Sequence, residues 1–345
     1  MQLRWGICSV GNISSDFVAA LSLLPQEQHT VTAIATGNSE ERARNFATKF
    51  NLHNAKTFGS YEQLINCSDI DVVYVGGISK LHFPLSMTAL KAGKHVLCET
   101  PLGISEGQVK KMVECAREKG KFLMEGFGTR HFPVYKEVQE QIRQGAIGEV
   151  KFLIADFGHK DDSSSGRVWE TQEGGGKLMA IGQYLVNVAQ LVFGGDKPVK
   201  VSAQGFMHKN TELDDSGAIT LSYEGNRIAQ LLYSASAFFE CRAQIIGTTG
   251  RFVIPLFWAP TEFEKQPLPM GKGEKRSFEL PQKEGVNFIY PNTAGLSYEA
   301  TCVRDCIMKG LTECPKMSLD ESMLLSQTLG EIRNQLGVVY EADKS

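Results

Sequence analysis

The chain has 345 residues, 42% of them hydrophobic and 22% charged, with a formal net charge of −3 at pH 7. That length suits two domains that each bury a core, and the slightly acidic balance gives neither nucleic acid nor an anionic membrane a reason to bind. No apolar run approaches the roughly 20 residues that cross a bilayer, and no basic-then-apolar leader precedes the first strand pattern, so a cytoplasmic protein with a small-molecule partner is expected.

The first 125 residues alternate β-rich runs with amphipathic ones. Strands are expected at 3–10, 31–36, 72–75, 96–98 and 122–125, separated by helices at 13–24, 40–50, 61–65, 83–92 and 105–119. Such alternation predicts a parallel sheet with helices on both faces and right-handed crossovers. Ser105 suits the N-cap of the last helix and Gly120 its stop. The first strand runs into Ser9-Val10-Gly11-Asn12-Ile13-Ser14, where a dinucleotide fold places its Gly-x-Gly-x-x-Gly turn and offers backbone amides to a pyrophosphate. Only the central glycine, Gly11, is present; Ser9 and Ser14 stand at the outer positions. After the second strand an acid would take the ribose hydroxyls of NAD, but Thr36-Gly37-Asn38-Ser39 is neutral and Arg42 and Arg44 follow. That favours NADP over NAD, although both arginines also suit a solvated helix face.

Beyond residue 126 a helix runs to about 143, and the pattern then changes to period-two strands at 150–157, 199–205, 218–223, 228–234 and 242–247. The fold class is therefore α/β: an N-terminal Rossmann doubly wound parallel sheet, residues 1–125, plus a C-terminal α+β domain, residues 126–345, with a large, mostly antiparallel open sheet. Gly174-Gly175-Gly176 precedes a helix pattern at 177–191, and Asp214 and Asp215 read as turn residues. The polar tract 266–286 reads as an exposed loop. The last two helices, 298–309 and 319–336, are expected to return to the first domain. Ile219, Leu221, Leu231, Tyr233 and Ala235 share one sheet face, which meets either a second copy or the chain's own helices.

Eight cysteines scattered through a long chain argue for reduced thiols. Cys302 and Cys306 fall on one helix face at i,i+4. No histidine or second cysteine pair stands at zinc-finger spacing beside them, so they read as core or surface thiols and no metal is expected.

The runs Gly6 to Ser14, Tyr74-Val75-Gly76 with His82, Ala92 to Glu99 followed by Thr100-Pro101, and Leu123-Met124-Glu125 resemble the dinucleotide domain of the glucose-fructose oxidoreductase and inositol dehydrogenase (Gfo/Idh/MocA) family. The likeness continues through Thr129-Arg130-His131-Phe132-Pro133, Phe193-Gly194-Gly195, Gly247-Thr248-Thr249-Gly250 and Ser297-Tyr298-Glu299-Ala300, and so spans nearly the whole chain. It implies NADP-dependent hydride transfer at a CH–OH carbon of a diol or sugar, and a homodimer formed through the second-domain sheet. It also implies cofactor contacts from Ser9, Gly11, Asn12, Ile13, Asn38, Ser39, Arg42, Tyr74, Gly76, His82, Glu99, Thr100 and Pro101, with Arg130, Trp169, Ala180 and Tyr184 toward the substrate.

In the family a lysine of a Glu-Lys-Pro turn, an aspartate, and a tyrosine or histidine four residues after it handle the hydroxyl proton. Tyr184 matches that tyrosine, but the lysine is Thr100 and the aspartate is Ala180. A tyrosine has an ordinary pKa near ~10 and needs a cation to approach neutrality, and losing a positioned acid-base group costs on the order of 100- to 10,000-fold. Three readings follow. The first is a weakened dehydrogenase with Tyr184 as acid-base, His82 assisting, and Lys80, Lys160 or Lys177 replacing the cation, each otherwise a solvated surface lysine. The second is a catalytically inactive dinucleotide-binding pseudoenzyme with a binding, sensing or structural role. The third is hydride transfer on a substrate that needs no strong base.

Overall fold

The computed structural model describes residues 2–160, 169–170, 174–267, 269 and 271–344. They fall into two compact units, 1–131 with 280–322, and 132–279 with 323–345.

The first unit opens with β1 (Leu3–Cys8), α1 (Asn12–Leu21), β2 (His29–Ala35), α2 (Glu40–Lys49), β3 (Lys56–Phe58), α3 (Tyr61–Ile65), β4 (Val72–Val75), α4 (Ser79–Lys91), β5 (His95–Glu99), α5 (Glu106–Lys119) and β6 (Leu123–Gly126). The strands form a sheet in the order β3-β2-β1-β4-β5-β6 with every pairing parallel. Helices cover both faces of such a sheet, so its central strands are buried on both sides: all four residues of β4 are inaccessible, as are Leu3, Trp5, Ile7 and Cys8 of β1. Ser105 caps α5 by accepting the Gln108 amide at 3.3 Å, and Gly120 closes it in the left-handed region at φ 59°. The three-residue β3 is too short to show any periodicity in the sequence.

The second unit contains α6 (Pro133–Arg143), β7 (Val150–Gly158), a π-turn (Leu178–Gly182) leading into α7 (Gln183–Val192), then β8 (Lys200–Met207), β9 (Asp214–Tyr223), β10 (Arg227–Ser234), β11 (Ala243–Gly247), β12 (Gly250–Ile254), β13 (Glu262–Pro267) and β14 (Glu274–Ser277). Its sheet runs β14-β13-β12-β11-β7-β10-β9-β8, antiparallel except for the β7–β10 pair. One expectation changes here. The tract 266–286 is not simply a loop, because β13 and β14 form an edge hairpin whose faces carry the ion pairs Lys265–Glu274 at 3.0 Å and Lys275–Glu262 at 2.8 Å. An edge strand wet on both faces has no apolar alternation to reveal it. Of the two alternatives for the apolar face of β9 and β10, the structure takes the one in which the chain covers it itself. Ile219, Leu221, Leu231, Tyr233 and Ala235 are all buried within the unit, whereas the opposite parity exposes Phe152 at 43%, Ile154 at 39% and Leu232 at 37%.

The chain ends with α8 (Leu296–Met308) and α9 (Leu319–Leu336). α8 packs on α1 in the first unit. Asp16 of α1 anchors the same returning segment by accepting the amides of Ile289 at 2.8 Å and Tyr290 at 2.9 Å and the Thr293 hydroxyl at 2.7 Å. From Met323 onward α9 belongs to the second unit, where Gln335 bonds the edge strand β8 through the Val201 carbonyl and the Ala203 amide. Among the described residues no helix is long and apolar enough to cross a membrane.

Asp214 does more than enter a turn. It is fully buried at the start of β9, and its carboxylate accepts the Leu178 amide at 2.5 Å. A Cβ on Gly176, which sits at φ +103°, would lie 2.3 Å from the same carboxylate. Asp214→Ala should therefore strand a buried amide and lower stability by about 1–3 kcal/mol. Asp214→Asn, which keeps an acceptor, should recover most of that loss; equal urea midpoints for wild type and the alanine variant would contradict this role.

Candidate dinucleotide site and acid-base residues

The strand order reverses direction between β1 and β4, which opens a crevice at the carboxyl ends of those strands. Gly11 is the residue before α1, with an extended backbone (φ −76°, ψ −176°), and no side chain caps the helix. The first-turn amides of Asn12 and Ile13 are therefore available to an anion, in line with the positive end of the helix. Gly11 and Asn12 are exposed, and a Cβ on Gly11 would meet nothing closer than the Gly76 carbonyl at 3.9 Å. Ser9 sits in the left-handed region at φ 85°, a conformation that a glycine takes at lower cost. Ser14 replaces the third glycine by packing rather than by absence: its buried hydroxyl donates to the Gly76 carbonyl at 3.3 Å. Gly76 itself has no room for a side chain, since a Cβ would lie 2.4 Å from Ser14 Oγ and 2.5 Å from the Tyr74 ring.

At the end of β2, Thr36 shapes the next turn. Its hydroxyl donates to the Ser39 carbonyl at 2.6 Å and accepts the Ser39 amide at 3.0 Å, while the Ser39 side chain caps α2 by accepting the Arg42 amide at 3.3 Å. Gly37 lies against the Tyr61 ring, which a Cβ there would approach to 3.2 Å. Arg44 pairs with Glu40 at 3.1 Å on an exposed helix face. Arg42 is also exposed and has no ion-pair partner among the described residues, which leaves it as the cation able to meet a ribose phosphate.

Under the crevice lies a floor of buried acids. The Tyr74 hydroxyl donates to Glu99 at 2.6 Å while its ring stacks on Phe17 at 3.9 Å. The turn after β5 contains a cis Thr100–Pro101 bond, and Glu125 gathers that turn by accepting the Thr100 hydroxyl at 3.1 Å and the Leu102 amide at 2.9 Å. Burial pushes the Glu99 carboxyl up to about 7, against the lowering effect of hydrogen bonds from Tyr74 and the Thr100 amide. Burial raises Glu125 too. Glu299 on α8 is raised well above the usual carboxylate range by burial and by Glu99, and neither of its oxygens has a hydrogen-bond partner among the described residues. His82 is buried, with Nδ1 2.7 Å from the Pro101 carbonyl and Nε2 3.1 Å from the Gly77 carbonyl. Burial lowers its pKa, and the neutral ring donates to one of those carbonyls at a time. His82 thus links the loop after β4 to the turn after β5.

Of the remaining sequence candidates, Arg130 is buried and its Nη1 donates to Glu321 at 2.6 Å and to the Lys316 carbonyl at 2.9 Å, so its charge is balanced inside the first unit. In the second unit Ala180 lies on the π-turn and Tyr184 in the first turn of α7, where its ring meets Phe157 edge-on at 6.1 Å. Trp169 stacks on His208 at 4.1 Å. Lys80 and Lys160 are exposed. Lys177 is not a surface lysine: it is buried, with its ammonium 5.6 Å from the Trp169 ring centroid. Sequence reasoning gave Asp16, Glu125 and Glu299 no role. Glu125 and Glu299 stand in motifs already quoted above, but only the tertiary fold gathers them.

Residues 3–127 match an oxidoreductase family with an NAD-binding Rossmann fold, and residues 135–253 match the C-terminal domain of the same Gfo/Idh/MocA group. A trans-1,2-dihydrobenzene-1,2-diol dehydrogenase of Xenopus tropicalis is 42% identical over 342 residues, covering 99% of this chain and 100% of the relative; the mouse protein of that name is 38% identical over 344 residues, covering all of both. Among solved structures, KijD10, a 3-ketoreductase from Actinomadura kijaniata in complex with NADP and TDP-benzene, superposes with a TM-score of 0.81 at 25% identity, covering 97% of this chain and 98% of that one.

The buried acids set the sign of a pH dependence. Carboxyls raised above their ordinary value of 4.5 bind more protons folded than unfolded, so their contribution to stability falls as pH rises from about 4.5 through about 7. His29, His82, His95 and His131, whose pKa values burial lowers, contribute in the opposite sense, so the share of the acids is read as the difference in Tm between wild type and variant across that window. Glu299→Gln should gain on wild type as pH rises and melt higher at mildly alkaline pH by a few degrees, on the order expected for about 1 kcal/mol; a variant that melts lower than wild type there would refute the account.

Proposed function

The chain belongs to the Gfo/Idh/MocA family of oxidoreductases, and from that premise we propose that it binds NADP and transfers hydride at a CH–OH carbon of a diol or sugar, with a proton transfer weakened by Thr100 and Ala180. The observation that carries this reading is the open end of α1: an extended, exposed Gly11 and uncapped first-turn amides beside a strand-order reversal. These residues fit a dinucleotide. Gly11, Asn12 and Ile13 would hold the pyrophosphate, Asn38, Ser39 and Arg42 the adenosine ribose and its phosphate, and Gly76, Thr100 and Pro101 the walls. When bound, the nicotinamide supplies or takes the hydride.

The protein's own groups divide the remaining tasks. Tyr184 exchanges the hydroxyl proton. His82 acts as a positioning residue, because both of its ring nitrogens face backbone carbonyls at the rim. Tyr74 and Glu99 lie beneath the site and support the turn that carries Thr100. The Thr100 hydroxyl turns to Glu125, so the place of the family's ammonium is taken by a neutral group bonded to a buried acid. Lys177, buried seven residues before Tyr184, is the candidate for a substitute cation. The pseudoenzyme reading is favoured by the paired changes at Thr100 and Ala180, which remove two of the three family acid-base groups. Free thiols at all eight cysteines support a cytoplasmic setting. The exposed Phe152, Ile154 and Leu232 supply the face for a homodimer through the second sheet.

Fluorescence titration should show NADPH bound more tightly than NADH. Arg42→Ala should weaken NADPH on the order of 10-fold or more, as for a charge-assisted contact, and leave NADH unchanged; equal losses for both would remove Arg42 from the phosphate site. With NADP and a trans-dihydrodiol or D-xylose, slow nicotinamide reduction that disappears in Tyr184→Phe supports the weakened enzyme. Turnover absent from the wild type and gained only by Thr100→Lys with Ala180→Asp supports the pseudoenzyme.

A further inference from the structure

A second cluster of chemistry-bearing side chains lies in the first unit, independent of the hydride-transfer reading. His131 ends a 3-10 turn (Gly128–His131), Cys302 and Cys306 lie on α8, and Cys314 stands in the short bridge Cys314–Met317. One ring nitrogen of His131 and the sulfurs of Cys302 and Cys314 all lie within 4.8 Å of one another. The Cys302 and Cys314 sulfurs are 3.3 Å apart, and Cys306, one turn along α8 from Cys302, is close enough to interact electrostatically with both thiols. His131 is only 4% exposed, and neither ring nitrogen has a hydrogen-bond partner among the described residues. A packed core does not strand an imidazole in this way without something to satisfy it.

We propose that His131, Cys302 and Cys314, with Cys306 as the fourth donor, form a zinc site. Thiolate sulfur with one imidazole is the donor set of structural Zn(II). With Zn–S bonds near ~2.3 Å, a tetrahedral centre separates its sulfurs by roughly 3.8 Å, close to the spacing already present. Cysteines ligate as thiolates, so binding releases the thiol protons to solvent. Cys302 is only half-buried, which leaves a way in.

The site would join the turn at 128–131 to α8 and to the loop at 314–317. The same loop accepts Arg130 through the Lys316 carbonyl, so the metal would fix the two segments that hold this arginine. The sequence alone hid the site, because its ligands lie in two stretches separated by about half the chain, outside any zinc-finger spacing.

The test uses the full chain, stripped with a chelator, kept reduced, and titrated with Zn(II) against a chromophoric indicator. One equivalent should bind and raise Tm, and Co(II) in its place should show sulfur-to-cobalt charge transfer with the intense red bands of a tetrahedral thiolate centre. The double variant Cys302→Ser with Cys314→Ser, its fold checked by circular dichroism, should lose that equivalent. His131→Phe should retain thiolate–cobalt charge transfer but shift the red bands and weaken binding at least 10-fold; it also serves as the test if the serine variants do not fold. A reduced wild type that takes up no Zn(II), or uptake unchanged in the serine and phenylalanine variants, overturns the site.

Discussion

Parallel pairing imposes the main constraint on this molecule. A parallel sheet must return the chain by crossovers, and when winding starts at β1 and proceeds outward in both directions, the helices after β1 and β4 leave on opposite faces. The gap between them cannot be filled by the chain's own backbone. It exposes the amino end of α1, and every other feature of the nucleotide crevice is arranged around it: Gly11 left open, Ser14 pulled against Gly76, Arg42 presented on α2 with no ion-pair partner among the described residues.

Below the crevice the first unit tolerates an unusual concentration of buried acid. Glu99, Glu125 and Glu299 are raised by removal from water, and hydrogen bonds from Tyr74, Thr100 and Leu102 offset only part of that cost. Holding such groups near neutrality requires rigid surroundings, and Asp16 supplies one anchor by tying the returning segment at 289–293 to α1. Thr100 belongs to the same network. A lysine at that position would bring a cation beside these carboxyls, so its replacement alters both the acid-base chemistry and the electrostatic balance of the floor.

The legible parts of the sequence were those with short-range periodicity. The alternation of buried runs and amphipathic stretches located the helices and all the longer strands of the first sheet, and Ser105 with Gly120 bounded α5 to within a residue. β3 and the charged hairpin of β13 and β14 were illegible because neither carries an apolar rhythm. The face assignment of β9 and β10 needed the structure, since alternation identifies two faces but does not say which one the unit's own helices cover.

Local sequence thus determined the two sheet types, the glycine turn after β1, and the chemical character of the replacements at Thr100 and Ala180, because each depends on residues within one turn or one strand. Tertiary structure alone decided that Glu125 receives the Thr100 hydroxyl, that Lys177 is buried, and that His131 meets Cys302 and Cys314. Such contacts join residues tens to hundreds of positions apart. Spacing in a chain carries no information about them until packing brings the segments together.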